Sequence, residues 1–274
     1  MFDPACYGVD VIEDDTTAKR YVEQHHYSGS YVSAKYRFGL WQLRSLAGQR
    51  DWVGPRLAGV AVLSTPMNMK VLTNVYPGLE PGIEALELGR LVLDDSVGYN
   101  GESHVLAEVA RQAFDLGVRG LVMFSDPQPR TTLAGWKDQP STVVFSGHIG
   151  QIYKATNCLH LGTSTPRRHW LMPDGLVMAP RAAQKIRGFE QGWKYAMAFL
   201  RRYSSIPELT EADDPRAWLR AALTAGLARS VRHEGCLRYG WPLGANARAR
   251  HRVEIAMKAR EYPTWDVRQL PLFT

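Results

Sequence analysis

The stretch Leu86–Ser125 constrains this chain more than any other. Leu86–Leu93, "LELGRLVL", reads as a strand. Asn100 caps a helix from about Glu102 to Leu116, with Val105, Leu106, Val109 and Ala113 on one face. Gly117 and Gly120 punctuate, and Leu121–Ser125, "LVMFS", is a second strand. A strand, a helix and a strand at this spacing imply a right-handed crossover between parallel neighbours of one sheet.

Other segments extend that sheet. Val9–Ile12 can start it, and Asp15 or Thr16 can cap a helix running to about Gln24, which "HHYSGS" ends. Tyr36–Leu43 and Leu57–Ser64 read as strands, the second apolar on both faces as a central strand is. Residues 128–147 form a long polar insertion. The segment "HIGQIYKATN" (His148–Asn157) reads as a short helix leading to a strand at Cys158–Gly162. Helical spacing would set Tyr153 and Asn157 one above the other. Beyond Gly175, Arg181–Tyr203 reads as one amphipathic helix, and Asp214-Pro215 starts another that runs to about Ser230. Periodicity does not decide between strands and a helix-loop unit over Val231–Tyr262. The expectation is a catalytic core over 1–175 and a basic, mainly helical extension over 176–274, packed on the core.

Charge separates the same two parts. Residues 175–274 hold 17 Lys+Arg against 9 Asp+Glu, whereas residues 1–174 hold 16 against 18. Fourteen of those 17 cations are arginine, which suits bidentate contact with phosphate. A polyanion such as nucleic acid is the simplest partner, the alternative being a solvated basic surface. Arg238, Arg248, Arg250, Arg252 and Lys258 are the candidate contacts. The apolar runs are too short for a membrane span, and the start "MFDPACYGVD" has no signal-peptide pattern. Three scattered cysteines, Cys6, Cys158 and Cys236, suggest reduced thiols and no structural zinc. The expected location is the cytoplasm of a bacterial host cell. The oligomeric state is open, a dimer being one option.

Single residues carry further readings. Arg90 sits in an apolar strand and needs an anionic partner, either a cofactor group or a structural carboxylate such as Asp94. Ser103 lies in a first helical turn, where it can meet a phosphate or act in capping alone. Asp126 ends a strand before Pro127 and suits a base, a metal ligand or a turn former. His26 with Asp126 would supply two ligands of an iron-type facial site, with Tyr27 or His148 as a third.

The element order resembles the GNAT acyltransferase plan, a twisted mixed β-sheet flanked by helices. In that plan two parallel strands splay apart around the arm of a coenzyme A thioester, and the following helix N-terminus cradles its pyrophosphate. The resemblance places the splay between residues 87–93 and 121–125. It puts the phosphate turn at "VGYNGESH" (Val97–His104), with Asn100, Gly101 and Ser103 as contacts; the full glycine signature of that family is missing. A narrower resemblance is to the Mom family of phage DNA-modification proteins. It rests on "HHYSGS", "ELGRL", "NGES", "FSDP", "HIGQIYKATN", "DGLVMAPR" and "LRYGWPLGANARARHR", in that order. It implies transfer of a carbamoylmethyl group to N6 of adenine in double-stranded DNA, which blocks host restriction enzymes. The donor would be acetyl-CoA or a related small molecule. The implied cleft contains Tyr153 and Asp126, with His26 and Tyr27 beside them and Asn157 as reader of the adenine edge. A conventional N-acetyltransferase and a non-catalytic DNA-binding protein are the competing readings.

Overall fold

The computed structural model describes residues 2–50 and 52–264. The closing segment "RQLPLFT", expected to dock or hang loose, lies outside the described residues. In chain order the strands are β1 (Tyr7–Val11), β2 (Ala34–Gln42), β3 (Arg56–Ser64), β4 (Ala85–Leu93), β5 (Gly120–Ser125), β6 (Arg130–Thr131), β7 (Val143–Phe145), β8 (Leu159–Thr163), β9 (Arg167–Leu171), β10 (Val177–Met178), β11 (Arg229–His233) and β12 (Leu237–Pro242). The helices are α1 (Asp15–His25), α2 (Lys70–Thr73), α3 (Gly101–Asp115), α4 (Gln151–Ala155), α5 (Pro180–Gly188), α6 (Trp193–Arg201), α7 (Pro215–Ala225) and α8 (Ala247–His251).

The chain divides into two compact units, and the division departs from the expected boundary at residue 175. One unit comprises residues 1–126, 149–163 and 236–274; the other comprises 127–148 and 164–235. Residues 236–264 return to the first unit because β12 is an interior strand of its sheet.

That sheet has seven strands in the order β1-β2-β3-β4-β5-β12-β8. It is the mixed, helix-flanked α/β sheet expected. Strand β3 is buried continuously from Ala58 to Ser64 because both of its faces are covered. Val60 and Val62 pack with Ala18, Tyr21 and Val22 of α1. Ala61 and Leu63 share a cluster with Val105, Leu106 and Val109 of α3. Burying several such side chains stabilises the sheet by roughly 1.5–3 kcal/mol each.

Every strand pair in this sheet is antiparallel except β4 with β5. The crossover through α3 imposes that one parallel pair. Its register couples Ala85–Leu88 to Gly120–Met123 and stops there, although β4 continues to Leu93 and β5 to Ser125. The ladder therefore opens into a wedge at the carboxyl ends of the two strands, between the segments expected to splay.

The basic C-terminal block folds back onto this sheet. The Ala256 N–H donates to the Val75 carbonyl at 3.0 Å and the Arg260 N–H to the His160 carbonyl at 2.8 Å. Tyr262 donates its hydroxyl to the Cys158 carbonyl.

The second unit holds a sheet in the order β10-β9-β11 and the β6–β7 pair, which accounts for part of the polar insertion. Helices α5, α6 and α7 enclose a core of Met172, Ile186, Trp193, Leu200, Trp218 and Leu219. The single helix expected over Arg181–Tyr203 is two. Phe189 adopts φ 48° and Gly192 φ 85°, so the chain leaves the helix and re-enters it while keeping its apolar period.

Candidate active cleft

Tyr153 stands beside the wedge. Its helix α4 begins after Gly150, where φ is 67° and an added Cβ would lie 2.6 Å from the Tyr153 ring and 3.0 Å from Tyr239. Glycine therefore sets both the turn and the approach. Tyr153 is 5% exposed, and its ring centroid lies 4.9 Å from that of Tyr239. Its hydroxyl donates to the Phe124 carbonyl across a long 3.5 Å. Phe124 is the first residue of β5 beyond the last β4 partner. Burial lifts the phenol well above its ordinary pKa, so Tyr153 is held in its neutral form. Tyr239, which packs against it, anchors α4 by donating to the Ile149 carbonyl at 2.5 Å.

The "HHYSGS" loop is tied to the β4 side of the wedge by Arg90. Its Nε donates to the Ser30 carbonyl at 2.9 Å and its Nη2 to Ser30 Oγ at 2.9 Å; Nη1 donates to the Gly89 carbonyl at 2.6 Å. Asp94, the expected structural partner, pairs with Arg56 at 3.3 Å instead. Arg90 thus holds a loop, and it does not line the cavity described below. Burial lowers its pKa, while Tyr27 and Glu87 oppose that shift. Tyr27, 43% exposed, acts electrostatically on both Arg90 and Tyr153. His26 caps the end of α1, and its Nδ1 contacts Ser28 Oγ at 2.8 Å. Asp126 follows β5 directly and is half-buried.

Sequence reasoning missed Glu87. It lies on β4 one residue before the wedge opens, and burial raises its pKa against the pull of Arg90. The available signal was a carboxylate inside "LELGRLVL", the same signal that singled out Arg90.

A cavity of about 460 Å³ lies where the α3 N-terminus meets α4. Asn100, Gly101 and Ser103 line it, with Gln151 and Ile152 opposite. Asn100 is at the N-cap in a left-handed conformation, φ 76°, and makes no side-chain cap. An added Cβ at Gly101 would lie 2.4 Å from Val97. The main chain suits a phosphate, since the first turn of a helix leaves N–H groups without intrahelical acceptors. The side chains oppose it. Asp94, Asp95 and Glu102 line the cavity, and among the described residues no lysine or arginine does. Asp94 is paired with Arg56. A diphosphate fits the backbone here and is opposed by the side-chain charge.

Residues 8–132 match the Mom protein family. No curated protein matches the chain. Among solved structures, it is similar to an acetyltransferase of Bacillus subtilis in complex with CoA. Identity is 10%, coverage is 87% of this chain and 99% of that chain, and the TM-score is 0.34. An IAA acetyltransferase from Bacillus cereus shows 9% identity, coverage of 86% and 99%, and a TM-score of 0.35. A tandem GNAT protein from the clavulanic acid biosynthesis pathway shows 10%, with 88% and 75% covered and a TM-score of 0.36.

The Mom match spans His26, Tyr27, Glu87, Arg90, the Asn100–Ser103 turn and Asp126, and it ends before Tyr153 and Asn157. Asn157 is a correction. Helix α4 stops at Ala155, and Asn157 adopts φ 58°, so it does not stack above Tyr153 on a helix. It lines a different cavity of about 480 Å³, together with Trp241, Arg250, His251 and Ile255. Iron is also not carried forward. Among the described residues, no group of three or more metal-capable side chains includes His26.

The candidate DNA contacts divide by burial. Arg248, Arg250 and Arg252 are exposed on and just after α8, and Lys258 is exposed beyond them. Arg238 is not on display. It lies 5.7 Å from the Phe124 ring centroid, its Nη1 reaches Met257 Sδ at 3.1 Å, and burial lowers its pKa. Among the described residues, no helix is long and apolar enough to cross a membrane.

Proposed function

We propose that this protein is a group transferase that attaches a carbamoylmethyl group to N6 of adenine in double-stranded DNA, and so shields that DNA from restriction enzymes. The match of residues 8–132 to the Mom family carries the reading. The wedge, with Tyr153 on one side and the Arg90-held loop on the other, supports it as a place for chemistry.

The proposed roles follow from protonation. Forming a bond from N6 to a methylene carbon removes one proton from the amine, and the donor's leaving group takes one up. Tyr153, held neutral by burial, gives the second proton. Glu87 and Asp126 are the two carboxylates at the wedge able to accept the first. Burial raises the Glu87 pKa, which suits a base, since a base works best with a pKa nearer the working pH. The donor occupies the cavity at the α3 N-terminus and is a small molecule whose carbamoylmethyl group is bonded through its methylene carbon to the leaving group, as the acetyl group of acetyl-CoA is not; that bond breaks as the N6 bond forms. Glu102 and Asp95 would weaken its hold on a diphosphate.

The target amine is paired and stacked in a duplex, so the adenine is extruded at a cost of roughly a few kcal/mol. Tyr153→Phe is expected to abolish modification while DNA affinity stays within about two-fold, because one hydroxyl leaves the chemical step and no phosphate contact is lost. Modification rate and binding constant, measured side by side, test this; full activity in the variant removes Tyr153 from the mechanism. Glu87→Gln should lower the rate by about 10²-fold or more. The wild-type rate should climb as pH rises through the raised pKa of Glu87, and a flat pH profile would count against that role.

A further inference from the structure

The net charge of the chain is not where its linear order suggests. The second unit holds fourteen Lys+Arg against eight Asp+Glu, a balance of +6, which is the whole excess of the protein. The discontinuous first unit holds nineteen of each and is neutral.

Within the basic unit one sheet face is built from unusual residues. β9 and β11 are antiparallel, with Trp170 directly opposite Ser230 and Arg168 directly opposite Arg232. Alternation along a strand puts these four side chains on one face. All four are exposed, Trp170 at 39%. The other face carries His169, Leu171, Val231 and His233, each buried or half-buried.

Two things about the exposed face are costly for an isolated protein. Directly opposed like charges destabilise a strand pair, and Arg168 faces Arg232. Glu234 offsets part of this through an exposed ion pair with Arg232 at 2.8 Å. A tryptophan usually hides most of its ring, yet Trp170 is 39% exposed, one rung along the same face from the Arg168–Arg232 pair. Arg168 is held in place by a 2.9 Å bond from its Nε to Ser230 Oγ. Both costs become gains against one class of ligand. A strand of nucleic acid offers phosphates for two arginines at a fixed spacing and an unpaired base for the indole face.

We infer that the Arg168–Trp170–Ser230–Arg232 face of the second unit is a DNA-binding platform on which arginines hold the backbone and Trp170 stacks an unpaired base. The inference rests on the proposed DNA substrate and adds a surface apart from the α8 arginines.

The test uses the full chain with a single-stranded oligonucleotide, the matching duplex and phosphatidylglycerol vesicles. Arg168→Gln with Arg232→Gln should make the plot of log affinity against log salt shallower by about one to two units. Trp170→Ala should weaken single-strand binding by about ten-fold, while Trp170→Phe, which keeps a ring, should stay within about three-fold. A thermal melt of each variant identifies any that fail to fold, and the arginine pair tests the face independently of the tryptophan. If the wild-type chain binds DNA and folded variants bind with unchanged slope and affinity, the platform is wrong and the DNA reading survives. If the wild-type chain binds neither DNA form, both fail. Vesicle binding as tight as DNA binding and indifferent to Trp170 also overturns the platform.

Discussion

Glu102 stands in the first turn of α3, where a helix offers free N–H groups; the residue is exposed, and partial desolvation by its neighbours raises its carboxyl pKa. Its negative charge opposes any anionic donor in the adjoining cavity. Glu102→Gln should therefore tighten acetyl-CoA binding several-fold. Wild-type binding should strengthen as pH falls through the raised pKa of Glu102, since protonation removes the charge. Calorimetry at two pH values reads both effects, and equal affinities in the variant and the wild type would mean that the diphosphate does not sit at this turn. Asp14 gives a simpler case. It caps α1 by accepting from the Thr16 and Thr17 N–H groups at 3.0 and 2.8 Å, one residue before the caps expected from sequence. Its pKa is lowered from 3.8 to about 2. A depressed carboxyl stabilises the fold above its unfolded pKa and loses that contribution as pH falls through about 2. Asp14→Ala should lower Tm at pH 7 and leave it unchanged near pH 1; a variant with the wild-type Tm at pH 7 would refute the cap.

The elements show which parts of the fold were legible. The crossover from β4 through α3 to β5 was readable because each piece has its own period and glycines mark the joints. The break between α5 and α6 was hidden because Ile186, Phe189, Trp193, Met197 and Leu200 keep an apolar spacing across it; only Gly188 and Gly192 marked it. β11 and β12 were not separable, since the five residues from Arg229 to His233 serve one sheet and Leu237 begins a strand of another. At the site, Arg90 stood out as a cation inside an apolar strand, whereas Tyr153 was singled out by the Mom resemblance and Tyr27 as a possible metal ligand. Asn157 was misplaced because the spacing rule assumed a helix that ends at Ala155. Two element-level outcomes follow. Gly150→Ala should destabilise the protein by about 1–3 kcal/mol through backbone strain alone and disturb Tyr153 as well; a variant of wild-type stability with full activity would contradict this view of α4. Replacing Arg248, Arg250 and Arg252 together should lower DNA affinity and flatten its salt dependence, and an unchanged slope would remove α8 from the contact surface.

At the scale of the molecule, sequence order and spatial order part company. Charge counted along the chain pointed to the last hundred residues. Charge counted by compact unit points to residues 127–148 and 164–235, because β12 and the segment after it belong to the neutral sheet unit. No window along a linear sequence can see that, since the rule that assigns residues 236–264 to the first unit is a strand pairing made over a hundred residues away from β5. If the reacting base leaves the duplex, 2-aminopurine at the target position should brighten on binding. A signal that stays quenched in a complex competent for modification would exclude extrusion. The claim on which the rest depends is the reaction itself, and nucleoside mass analysis of plasmid DNA from cells expressing the wild-type chain or Tyr153→Phe tests it directly. The account predicts a deoxyadenosine heavier by one carbamoylmethyl group with the wild-type chain and none with the variant. An unmodified deoxyadenosine pool in wild-type cells containing folded protein would contradict it.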